Sequence, residues 1–289
     1  MKPKTVYLAF FFIPFLFAQS DVDQVEIKTI TKIDVPFAGT MTFSNTIHAA
    51  NGKFKEEVES SFDRFYTRMA MGGNRTAGKI INYDDQSLIM YSESKKQFAA
   101  EDFQTIKNND GTPSLKDVTR MNPGGNNDRD RENDKSNSED NADQNSNEIT
   151  RPTVERIISK DLEQVNQFTC KKVITKISSS SGVFTMVEWI TEDTLILDFA
   201  DTVQRDLVES YGGTLSTQPS SSSWLNRIEP KKKHEVVNGK IIKSSMTSVN
   251  EKGKPSFSMQ MEILSAKEVD FNPLMFIVPK NYRKVDELE

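Results

Sequence analysis

A chain of 289 residues with 36% hydrophobic side chains is long enough for one large or two small domains, and its formal charge of −5 disfavours nucleic acid as a partner. Its single cysteine excludes an intrachain disulfide, so stability must come from burial. Its two histidines, His48 and His234, adjoin no run of cysteines or carboxylates and fall short of a zinc ligand set; GxSxG elbows and phosphate loops do not occur.

The N-terminus carries Lys2 and Lys4, an apolar run from Val6 to Phe17, then Ala18 and Ser20 before Asp21, the pattern of a cleaved secretory leader over 1–20. The run is short of the roughly 20 apolar residues of a membrane helix, and no later segment approaches that length. The expectation is a soluble, monomeric protein, periplasmic or secreted. Loss of Lys2 and Lys4 with the leader takes its charge from −5 to −7.

From Val25 to Ile47 polar and apolar residues alternate around Pro36 and Gly39, which predicts strands. Residues 53–69 fit either a helical stripe or one strand face, and strand is the assignment. Ile80 to Tyr83 and Leu88 to Tyr91 flank Asp84, Asp85 and Gln86 as a hairpin. Residues 108–151 then lose nearly all apolar groups. Ten acidic and six basic side chains crowd them, and they read as a disordered acidic insert within one domain spanning 21–289. Asp128, Asp130, Glu132, Asp134 and Glu139 have calcium-loop spacing, but Asn133 stands where the loop needs Gly, so plain solvated acid is the reading.

Lys171 to Ile177 and Val183 to Ile190 predict a hairpin across SSSSG, with both faces apolar and therefore a central position. Cys170 beside it reads as a small buried hydrophobe. Leu195, Phe199, Val203, Leu207 and Tyr211 predict a helix capped by Asp193 or Thr194 and ended by Gly212. Asn238-Gly239 signals another hairpin. In 255–264, Phe257, Met259, Met261 and Ile263 share one strand face. The chain closes with an apolar edge segment and a charged tail.

The order of elements resembles the LolA/LolB-like lipoprotein-carrier superfamily and, more closely, its secreted bacterial relatives of unknown function. The matching residues are Ile80-Ile81-Asn82-Tyr83-Asp84 with Lys95-Lys96-Gln97-Phe98, then Phe168-Thr169-Cys170-Lys171-Lys172 leading to Trp189, and finally Phe276 to Tyr282. Gln167 replaces the glycine usual before the aromatic of the cysteine motif. The resemblance implies a mainly β (α+β) fold, a curved antiparallel half-barrel with one or more helices against its concave face, in which an acyl chain is received.

Methionines on the predicted sheet faces fit either an ordinary core or an apolar groove for a lipid or lipoprotein acyl chain. The groove candidates are Met186, Trp189, Leu195, Phe199, Val203, Phe257, Met259 and Met261. No cofactor, metal or catalytic residue is expected. The alternative is a filled core, with the acidic insert contacting an envelope protein.

Overall fold

The computed structural model describes residues 22–119, 152–215, 225–229 and 232–288. Six strands run in sequence as an antiparallel meander: β1 (Gln24–Val35), β2 (Gly39–Ala50), β3 (Lys53–Phe62), β4 (Arg75–Asn82), β5 (Ser87–Ser92) and β6 (Gln97–Asp102). A second meander follows: β7 (Thr153–Val165), β8 (Phe168–Ser179), β9 (Gly182–Thr191), β10 (Lys240–Asn250) and β11 (Pro255–Val269). Antiparallel pairing of β1 with β11 fuses the two. The short β12 (Arg283–Lys284) adds parallel to β6. The order is β12-β6-β5-β4-β3-β2-β1-β11-β10-β9-β8-β7, one open, curved sheet and thus the expected half-barrel. Four helices accompany the described strands: α1 (Phe65–Ala70), α2 (Phe103–Asn108), α3 (Leu195–Ser210) and α4 (Leu225–Ile228).

Helix α3 lies on the concave face, across β1, β2, β3 and β11. Thr194 is its N-cap, and the Thr194 hydroxyl donates to Asp198 in the first turn, where a carboxylate complements the helix dipole. Gly212, at φ +84, takes the left-handed turn that ends it. Its buried face is Leu197, Ala200, Val203, Leu207, Val208 and Tyr211. The expected stripe is therefore rotated. At about 100° per residue, a strict four-residue step drifts some 40° round the axis each time. Leu195 consequently ends up 63% exposed, while Leu197 and Ala200 face the sheet.

The opposite, convex face is covered near β4 and β5 by the C-terminal segment. Phe276 packs there on Ala50, Ile80 and Tyr91, with Met275, Val278 and Tyr282 beside it. Strand β4 is therefore buried on both faces, with Ile80 and Ile81 each 1% exposed. The 168–191 hairpin forms as β8–β9 but lies toward the β7 edge rather than at the centre. Burial of β9 is concentrated on the face of Met186, Glu188 and Ile190, with Thr191 buried on the other face at the strand's end.

Other expectations change too. Residues 53–69 divide into strand β3 and helix α1. Asn238-Gly239 makes no hairpin. An extended segment enters β10 there, and a Cβ on Gly239 would lie 2.0 Å from the Thr191 carbonyl oxygen, so the glycine permits a close approach. The polar insert begins later than its composition suggests, because Gly111 is buried and Leu115 and Val118 pack on the main core. Residues 120–151, with the calcium-like spacing, lie outside the described residues, as does the leader pattern of 1–20. The strands on either side of 120–151 belong to the same sheet.

Candidate functional site: an apolar trough on the concave face

Strand alternation places Ile27, Thr29, Thr31 and Ile33 of β1 on the α3 side of the sheet. Cross-strand pairing extends these positions into rows. One row runs Met41–Ile33–Met259–Met246–Met186 across β2, β1, β11, β10 and β9. The next, Phe43–Thr31–Met261, lies one step closer to α3. The row beyond, on the far side from α3, contributes Phe257 and Phe184. None of these apolar side chains belongs to the core cluster packed with α3, and all but Met186 are only half-buried. The result is a trough lined by flexible thioethers and aromatic rings, surfaces that adapt to an irregular apolar guest.

Under α3 the trough deepens into a cavity of about 170 Å³ lined by Ile27, Ile47, Phe54, Leu197, Ala200 and Ile263. Lys240 stands at this cavity and bridges Asp198 and Asp201 of α3, at 2.8 and 2.6 Å. A second cavity of about 260 Å³ opens toward the other end of α3, among Ile81, Met90, Leu115 and Tyr211. It is more polar. Buried Lys79 reaches it, paired with Glu56 at 3.0 Å and Asp117 at 3.6 Å. Gln204 lines both cavities.

The β7–β9 flank of the trough is polar. Arg156 donates to Thr175 at 3.2 Å, and Thr175, Glu188 and Ser244 are almost fully buried. Burial pushes the Arg156 guanidinium below its ordinary value, with Glu188 and Glu235 opposing that shift.

Of the eight residues singled out in the sequence, four line the trough: Met186, Met259, Met261 and Phe257. Val203 and Phe199 belong to the contact between α3 and the main core. Leu195 is exposed and leaves the set. Trp189 leaves it as well, because it has the opposite strand parity to Met186. Its indole donates to Glu163 at 2.7 Å, and the ammonium groups of Lys172 and Lys243 stand 5.1 and 5.6 Å from its ring centre. Trp189 thus combines packing against the main core with charged partners, away from the methionine row. Met41, Phe43, Met246, Phe184 and Ile33 were missed. Alternation in 39–47 signals the first two, but nothing in the sequence shows which strands stand side by side.

The reactive side chains are engaged locally. His48 shares Gln24 at 3.4 Å, His234 meets Glu229 at 3.2 Å, and Cys170 is buried. Among the described residues no group of three or more His, Cys, Asp or Glu is placed to hold a metal, and no helix is long and apolar enough to cross a membrane.

No family model and no curated protein matches the chain. Among solved structures it is similar to a LolA superfamily protein from Nitrosomonas europaea at 7% identity, covering 89% of this chain and 91% of that one, with a TM-score of 0.25. An overlap that loose carries no weight for fold or function.

Proposed function

We propose that the chain is an exported, non-enzymatic binding protein that holds one apolar chain of a lipid or lipoprotein in the concave trough. The observation that carries this reading is the methionine row, continuous along β1, β2 and β11 with the cavity beneath α3. From Ile27 to Ile33 the strand rises about 20 Å at ~3.3 Å per residue. One acyl chain occupies about 15 Å, half the ~30 Å hydrocarbon thickness of a bilayer. The polar flank at Arg156, Thr175 and Glu188 supports a guest with an apolar body and a polar end. Export rests on the leader pattern of residues 1–20, and a single domain with a monomeric state belongs to the same reading.

Protein produced with its leader, purified without detergent and extracted with organic solvent should release close to one acyl-chain lipid per polypeptide. Protein that is repeatedly lipid-free and does not take up a hydrophobic dye would refute the proposal. The competing reading, a filled trough with residues 120–148 engaging an envelope protein, predicts that deleting them abolishes a partner and leaves lipid content unchanged.

A further inference from the structure

We propose that the end of the half-barrel carrying the β1–β2 turn and α1 docks on an anionic membrane surface. The turn is Val35-Pro36-Phe37-Ala38, closed by the Ala38 N–H donating to the Val35 carbonyl at 3.1 Å. Proline in its second position and φ +71 at its third mark a type II turn, whose third position is ordinarily glycine. Phe37 occupies that position and is 99% exposed. A bulky side chain thus sits on a backbone it does not favour and packs on nothing. A strained outlier of this kind points to a function outside the fold.

Helix α1 is fixed beside the turn. The Thr67 hydroxyl donates to the Ala38 carbonyl, and the Thr40 N–H donates to Asp63 at 2.9 Å. Phe65, Tyr66 and Met69 are 64%, 84% and 67% exposed, with the two rings edge to face at 5.9 Å. These four side chains project from one turn and one short helix instead of lining a groove, which suits a fluid partner better than a shaped one. Charge selects the kind of surface. In the β3–β4, β5–β6 and β10–β11 connections at this same end, Arg64, Arg68, Lys95, Lys96, Lys252 and Lys254 outnumber Asp63, Glu93 and Glu251, although the whole chain is acidic at −5. Such a collar favours anionic headgroups. Met41, at the end of the methionine row, pairs with Phe62 just before this loop, so the trough opens toward the docking end.

Sedimentation of the mature protein, residues 21–289, with phosphatidylglycerol–phosphatidylethanolamine vesicles, against phosphatidylcholine vesicles, tests the proposal whether or not a lipid is carried. The protein should partition onto the anionic vesicles and come off as salt rises. Phe37→Gly should weaken partitioning about tenfold. Its melting temperature should be unchanged or higher, so unfolding cannot account for the loss. Phe65→Ser with Tyr66→Ser should act in the same direction. No vesicle binding, equal binding to the neutral vesicles, or full retention by Phe37→Gly would overturn the proposal; binding by an envelope protein alone would do the same.

Discussion

Ala200→Leu gives a direct test of the space beneath α3. Ala200 is 3% exposed and lines the 170 Å³ cavity. At about 24 cal/mol per Å³, filling that volume completely would be worth about 4 kcal/mol. Leucine adds three carbons, which at about 0.8 kcal/mol each set a ceiling of ~2.4 kcal/mol. Carbons near the Lys240 side stay partly wet, so a gain of about 1 kcal/mol is the working figure. For a domain of this size that corresponds to roughly 2–4 °C in Tm. The same leucine occupies the guest's space, so dye uptake should fall at least about tenfold, the effect of one lost apolar contact. Differential scanning fluorimetry and titration with an environment-sensitive naphthylamine dye read the two effects separately. A variant that melts several degrees lower yet binds dye as before would show that this cavity is not the binding space.

Other expectations follow from individual contacts. Gly111→Ala puts a Cβ 2.0 Å from the Gly212 carbonyl oxygen at φ +72, so urea unfolding should show a loss of at least about 1–2 kcal/mol from the backbone conformation alone. An unchanged midpoint would contradict the packing of 111–118 on α3. Burial lowers the pKa of His48, although Glu26 works against it. The unfolded chain therefore takes up a proton near pH 6.5 that the folded chain resists. Stability should be full above about 6.5 and decline as the pH falls below it, and His48→Gln should flatten that slope. In Glu26 burial acts upward but is outweighed by hydrogen bonds from Lys267 and Lys28, so its loss of stability falls in a separate window below pH 4.5. Burial pushes the Cys170 thiol up, so Ellman's reagent should react at once only after denaturant is added.

Much of the strand pattern was legible because each strand's faces meet different surroundings. Residues 255–264 alternate between water and the trough, and so Met259 and Met261 were assigned to the trough from sequence. Residues 183–190 are apolar in both parities, which left Trp189 and Met186 indistinguishable. The ammonium groups of Lys172 and Lys243 stand over Trp189, and they reach it only through the register of β8 and β10. The methionine row could not be read in advance for the same reason. Met41 and Met246 lie about two hundred residues apart and meet only when β1 pairs with β11. Helix α3 was recognised by its caps, but its buried face followed the sheet rather than the tidiest i, i+4 row. Asn238-Gly239 misled because a glycine needed for close backbone approach looks the same on paper as one needed for a turn.

Photocrosslinking with a diazirine-bearing fatty acid, followed by peptide mapping, tests most directly whether a guest lies along the concave face. Label should concentrate at Met41 and Phe43, at Met246, and at Met259 and Met261. Label spread over the convex face around Tyr91 and Phe276, or an absence of saturable labelling, would contradict it.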